Sequence, residues 1–108
     1  MKYVLFIVVF LVAASSYATE ALGTACGEIQ RLRTWAEGSD TYGVWIEYKS
    51  NPENCEGGFY IPHNSNNKEL VFSMALAAKA SGQKMCIQFR NLENKIEDRC
   101  VINYIRHE

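Results

Sequence analysis

An apolar stretch at residues 66–82, NNKELVFSMALAAKASG, predicts the one long helix of this chain. Asn66 can cap its amino end, with Glu69 three residues later as in a capping box. Gly82 suits the left-handed position that commonly ends a helix. The polar residues that interrupt the stretch are Lys68, Glu69, Ser73, Lys79 and Ser81. Because apolar residues fall on every side, we expect either a helix packed wholly against its own sheet or one shared with a neighbouring subunit.

Apolar and β-branched residues predict five strands around this helix. The strands are expected at residues 27–36, 44–49, 59–61, 84–90 and 100–105. Three strands, a helix and two strands is the order of the OB-fold, a five-stranded Greek-key barrel with its helix between strands 3 and 4. An open α+β sheet is the alternative. We favour the barrel because closure removes the exposed strand edges.

The amino-terminal residues predict a secretory signal peptide. Lys2 is followed by an apolar run over residues 3–14 and by the small residues Ser16 and Ala18. We therefore expect a signal peptide at 1–18, a single OB-like domain at 19–108 and a secreted or periplasmic protein. An amino-terminal membrane anchor is the alternative, but the run is short for a span. No later segment is apolar and long enough to span a membrane.

Four cysteines, all after residue 18, predict two disulfides in an exported chain. Metal binding is not expected because the chain has no C-x-x-C pair, and no cofactor is expected either. Four cysteines allow three pairings. In an OB barrel the first strand pairs with the fourth and the third with the fifth, which favours Cys26–Cys86 and Cys55–Cys100.

Charge and motif content exclude several classes of function. Lysine and arginine number 11 against 12 acidic residues, and no basic run occurs, so nucleic acid is not an expected partner. The chain contains no H-E-x-x-H, G-x-S-x-G or phosphate-binding loop. His63 and His107 are expected to be solvated surface residues. We therefore expect a protein that is not an enzyme.

The predicted helix opens with KEL at 68–70, ends in SGQ at 81–83 and leads directly into the strand at 84–90. This pattern resembles the B subunits of bacterial AB5 toxins, in particular those of subtilase cytotoxin and typhoid toxin. The resemblance implies a homopentamer with its helices at the centre, cell-surface glycan binding and an A-type partner subunit. No binding residue is carried over, because TACG at 24–27 lacks the serine of those subunits.

The residues themselves predict a binding surface and an oligomer. If the strand at 44–49 fills a barrel with alternate residues, Trp45 faces outward beside Glu47 and Lys49, with Tyr60 on the next strand. Aromatic rings beside polar groups suit sugars, so these four residues are the predicted ligand site of a glycan-binding protein. The alternative is a structural or protein-interaction module, with a protein receptor, in which Trp45 packs under a loop or at a subunit contact. Small residues in the second half of the helix predict a homo-oligomer.

Overall fold

The computed structural model describes residues 22–90 and 96–108. The elements are β1 (Leu22–Gly27), β2 (Ile29–Thr34), β3 (Tyr42–Tyr48), a 3-10 turn (Glu53–Cys55), β4 (Gly58–Pro62), α1 (Lys68–Ser81), β5 (Met85–Arg90) and β6 (Arg99–His107). The predicted signal peptide lies outside the described residues. Within the described ranges, no helix has the length and apolar character needed to cross a membrane.

The six strands form one sheet in the order β1-β5-β6-β4-β3-β2. All neighbours are antiparallel except β4 and β6, which are parallel. The prediction of a mainly β fold with one helix is confirmed. The count of five strands is wrong, because the strand predicted at 27–36 is interrupted at Glu28, and β1 lies before it. β1 and β2 form the two ends of the described sheet, which is not closed by pairing between them.

Side-chain alternation holds from Val44 to Tyr48 in β3 and fails along β2. Val44, Ile46 and Tyr48 are buried, as their spacing predicted. In β2 the pairing register shifts between Ile29 and Arg31. A bulge of this kind adds a residue on one side and changes which face the later residues occupy. Ile29 and Leu32, three positions apart, therefore both reach the core.

The helix ends as predicted but begins differently. Gly82 has φ of +71° and its backbone N–H donates to carbonyl oxygens of the last turn, which confirms the predicted C-terminal position. The predicted cap at Asn66 is wrong. Asn67 precedes the first helical residue, Lys68, and makes no side-chain capping bond. Its φ of −104° and ψ of 11° lie outside the extended region of a typical N-cap, so no capping box with Glu69 forms.

One face of α1 packs on the sheet and the other is open. Ala75 and Ala78 are fully buried against the core. Three large apolar side chains point away from it, with exposed fractions of 67% for Leu70, 37% for Met74 and 49% for Leu76. We call these three residues the outer face of α1. Its own sheet therefore does not cover the helix on all sides.

Two disulfides join distant parts of the chain. Cys26 of β1 is bonded to Cys86, its direct cross-strand neighbour in β5. Cys55 of the 3-10 turn is bonded to Cys100 at the start of β6. These are the two pairs that the strand order predicted. Bridges that close loops of this length, 60 and 45 residues, each contribute about 4 kcal/mol in the chain-entropy account.

Tyr48 links β3 to the opposite end of the sheet. Its hydroxyl donates to the carbonyl oxygens of Ala25 in β1, at 2.9 Å, and Met85 in β5, at 2.7 Å. Burial raises the pKa of the Tyr48 hydroxyl, so the group remains a protonated donor. The last residue of β3 therefore lies against β1, although these two strands are far apart in the sheet order.

Candidate functional site

Three aromatic rings stack in a row, one from Trp35 after β2 and two from Tyr42 and Trp45 of β3. The Trp35 and Tyr42 ring centroids are 5.3 Å apart at an interplanar angle of 22°, and those of Tyr42 and Trp45 are 6.5 Å apart at 21°. Tyr60 of β4 meets Tyr42 edge-on, at 5.2 Å and 86°. Both arrangements are favourable for aromatic pairs. We call these four residues the aromatic row.

A register shift in β3 makes the row possible. Strict alternation puts residues 42 and 45 on opposite faces of a strand. The pairing of β3 with β4 shifts between Tyr42 and Val44, which brings Tyr42 and Trp45 to the same side. The backbone N–H groups of Thr41 and Tyr42 donate to Ser39 Oγ at 3.0 and 3.1 Å. Hydrogen bonds within the loop before β3 therefore fix the backbone at Tyr42, the central residue of the row.

Protein groups surround Trp45. Its indole N–H donates to the Gly57 carbonyl oxygen at 2.9 Å. The guanidinium carbons of Arg33 and Arg99 lie 4.2 and 3.8 Å from a Trp45 ring centroid. Guanidinium groups at this distance are attracted to the electron-rich face of an indole. Trp45 is therefore held by contacts within the chain and presents less free ring surface than the sequence suggested.

Arg99 continues this network towards Tyr42 and Glu97. Its Nη1 donates to the Tyr42 hydroxyl oxygen at 2.8 Å and pairs with Glu97 Oε1. The Tyr42 hydroxyl donates to the same carboxylate at 3.1 Å. Hydrogen bonding from Arg99, and then from Tyr42, lowers the pKa of Glu97 from its usual 4.5. Within the described residues, Arg99 Nε is buried without a hydrogen-bond partner.

The other predicted ligand residues lie in different surroundings. Tyr60 is directly opposite Trp45 in the β3–β4 register but is only 5% exposed. Glu47 Oε1 lies 3.6 Å from Arg31, while the Lys49 ammonium donates to a Glu28 carboxylate oxygen at 2.8 Å. Ligand contact by Trp45, Tyr60, Glu47 and Lys49 stays a prediction.

A cavity of about 490 Å³ opens between the loop after β2 and the first turns of α1. It is lined by the aromatic rings of Trp35, Tyr42 and Phe72 and by the polar side chains of Ser39, His63, Lys68 and Glu69, among others. We call it the Trp35 pocket. Lys68 is fixed at its rim by a hydrogen bond of 2.8 Å to the His63 carbonyl oxygen. An apolar wall with convergent polar groups is the usual composition of a ligand site.

Sequence reasoning missed the Trp35 pocket because two of its aromatic residues stand outside the clear alternation. Trp35 follows β2, and Tyr42 precedes the register shift of β3. A usable signal was present, since Trp35, Tyr42 and Trp45 flank a short turn containing Gly38. Aromatic residues on both sides of a hairpin turn come close together when the strands pair.

The described residues offer one candidate group of metal ligands. Cys26, Cys86 and Glu108 bring potential ligand atoms within 4.8 Å of one another. Both sulfur atoms are bonded to each other in the disulfide, so neither is available as a thiolate.

None of the protein-family models, curated proteins or solved structures compared with this chain matches it.

Proposed function

We propose that this chain is a small exported, disulfide-bonded binding protein and that the Trp35 pocket binds a cell-surface glycan. The observation that carries the proposal is the composition of this cavity. Sugar rings have an apolar face and a hydroxyl edge, which match an aromatic wall and a polar rim. Trp35 is only partly buried and stacks on Tyr42, so the wall is supported from behind. Stacking on a supported ring requires little ordering when the ligand binds.

Export is supported by the two disulfides, since such bonds persist in oxidising compartments. The signal-like residues 1–18 support it independently. On this basis the protein is secreted or periplasmic.

The strand order supports an OB-type barrel when β1 and β2 are counted as halves of one strand bent at Glu28. That strand then neighbours β5 through one half and β3 through the other. The parallel pairing of β4 with β6 and the Tyr48 hydrogen bonds to β1 and β5 fit the same arrangement. The Trp35 pocket would then lie at the side of the barrel, next to the start of α1.

A glycan array probed with the disulfide-bonded protein tests the binding proposal. We expect binding to a defined glycan, with a dissociation constant that rises about tenfold in Trp35→Ala, the loss of one aromatic stacking contact. Tyr104→Ala is the matched control, because Tyr104 is an exposed aromatic residue on β6 that does not line the pocket. No bound glycan, or equal affinity in Trp35→Ala, would overturn the proposal.

A second candidate function is supported by the outer face of α1. Leu70, Met74 and Leu76 expose apolar surface that suits a protein contact. We propose that a second copy of this chain covers it, in a homopentamer as the resemblance to AB5 toxin B subunits implies. The same resemblance implies an A-type subunit as a further partner. The alternative is a protein-interaction module that uses this face for a protein receptor.

Light scattering behind a sizing column tests the oligomer. We expect a mass several times that of the monomer for the wild-type protein and a monomer for Leu70→Lys. A monomer that persists at high micromolar concentration would contradict self-association. Glu69→Lys is unsuitable as a control because Glu69 lines the Trp35 pocket. Lys84→Glu changes the charge of an exposed residue outside α1 and serves instead.

A further inference from the structure

A second cavity, of about 310 Å³, lies between β2 and the second half of α1. Its lining residues are Gln30, Arg31, Leu32, Arg33, Trp45 and Lys79. We call it the basic pocket. Three of these side chains are cations and none is a carboxylate, although the whole chain has a formal net charge of −1. The lining of the basic pocket is therefore positively charged on a chain whose formal net charge is slightly negative.

The cations of the basic pocket are poorly neutralised by the protein. Within residues 22–90 and 96–108, Arg33 and Lys79 form no ion pair, and Arg31 contacts Glu47 only at 3.6 Å. A charge-assisted hydrogen bond is about 2.7–2.9 Å long, so the Arg31 contact is a loose one. The Arg31 side chain is also 68% exposed. Like charges gathered without partners repel one another, and a bound anion relieves that repulsion.

Arg33 connects the basic pocket to the aromatic row. Its guanidinium carbon lies 4.2 Å from a Trp45 ring centroid and 5.7 Å from a Trp35 ring centroid. Attraction to the rings positions the guanidinium group, and within the described residues its N–H groups make no hydrogen bond or ion pair, so they remain available to an acceptor. A sugar ring on Trp35 therefore has a fixed cationic donor beside it, on the side of the basic pocket.

We infer that the basic pocket binds a sulfate ester carried by the same glycan, an inference that rests on the proposed glycan function. A carboxylate has two oxygens in one plane, which a single guanidinium fork satisfies. A sulfate ester has three terminal oxygens that point in different directions. The basic pocket offers cations from two elements, Arg31 and Arg33 on β2 and Lys79 on α1. This arrangement suits the three-oxygen group, and the ligand class is a sulfated glycan.

Titration calorimetry with three polymers of matched length tests the inference: dextran, carboxymethyl dextran and dextran sulfate. We expect the disulfide-bonded protein to bind dextran sulfate at least tenfold more tightly than carboxymethyl dextran at equal charge density. Arg33→Gln and Lys79→Gln should each weaken dextran sulfate binding about tenfold. Arg106→Gln is the control, since it removes the same charge from an exposed position on β6 outside the basic pocket, and should change affinity less than twofold.

Equal losses in Arg33→Gln and Arg106→Gln would overturn the inference in favour of a general charge effect. Equal affinity for the carboxylated and sulfated polymers would overturn the choice of sulfate. The proposed function fails by a different result, namely glycan-array binding that is absent or insensitive to Trp35→Ala. Glycan binding that depends on Trp35 but not on Arg33 would preserve the function and reject the sulfate site.

Discussion

The aromatic row and the outer face of α1 both carry large apolar side chains, but their surroundings differ. Trp45 and Tyr42 in the row contact one another, two arginines (Arg33 and Arg99) and a backbone carbonyl oxygen. Leu70 and Leu76 on the helix are 67% and 49% exposed. The row is therefore stabilised within a single chain, whereas the helix face gains free energy only when something else covers it. Large apolar residues in a sequence do not by themselves distinguish these two situations.

The two regions also differ in how they are suited to a ligand. The row has fixed rings with polar donors around them, which favours an oriented ligand of mixed polarity. The outer face of α1 offers the exposed side chains of two leucines and one methionine, which favours an apolar partner surface. This contrast can be tested by substituting buried and exposed residues of each region and comparing the stability of the variants.

The largest effect is expected at Ala78 on α1, with its neighbour Ala77 as the control. Ala78 is fully buried, and Ala78→Glu places an unpaired carboxylate in the core at a cost of several kcal/mol. In a urea titration followed by circular dichroism, we expect the Ala78→Glu variant to show no cooperative unfolding transition or one at a much lower urea concentration than wild type. Ala77 is exposed on the outer side of the helix, so in the monomeric Leu70→Lys background Ala77→Glu should change stability by less than about 0.5 kcal/mol. Similar midpoints for both variants would mean that the two helix faces are not distinct.

A smaller effect is expected at Trp45. Trp45→Ala removes a partly buried ring, its contacts with two guanidinium groups and the hydrogen bond to Gly57, and should cost about 3 kcal/mol. Trp45→Phe keeps a ring but loses the N–H donor, and should cost about 1 kcal/mol. Urea denaturation measures both. A loss below 1 kcal/mol in Trp45→Ala would mean that the row is not held together within the chain.

The smallest effect is expected at Glu97, at the exposed end of the Arg99 network. Its pKa is lowered on folding, so its stabilising contribution is present above the unfolded value near 4.5 and is lost as pH falls through the folded pKa. Glu97→Gln should therefore lower the thermal midpoint at pH 7, and its difference from wild type should shrink below pH 4.5. The exposed Glu37→Gln is the control. A difference that is constant with pH would exclude a role for the Glu97 charge.

Sequence reasoning was successful where a regular period or a single residue type determines the structure. The inward positions Val44 and Ile46 follow from alternation on a half-buried strand, and both are buried. Gly82 ends the helix because it adopts a left-handed conformation without steric cost. The two disulfide pairs are the predicted ones, although Cys26 lies in β1, a strand that was not predicted, and the predicted strand at 27–36 corresponds to β2, which pairs with β3 and not with β5.

The candidate site was harder to predict because it depends on departures from regularity. The register shift near Tyr42 places this residue on the same side as Trp45, and no period in the sequence shows such a shift. Trp45 itself was predicted to face outward, but its covering by Arg99 comes from a strand far along the chain. β1 was missed because LGTACG lacks a clear apolar alternation. Long-range contacts and bulges therefore account for most of what was missed.

The position of the Cys26–Cys86 bridge has a consequence for local motion. None of the six residues of β1 is fully buried, and the strand is hydrogen-bonded in the sheet only to β5. A strand with so few apolar contacts opens at low cost in free energy, and its amides exchange quickly with solvent. The bridge joins the strand to β5 one residue before its end, so opening is confined to the residues before Cys26. The carbonyl oxygen of Ala25, which accepts a hydrogen bond from Tyr48, belongs to the part that can open with the bridge intact, and chemical reduction would extend the opening to Cys26 and Gly27.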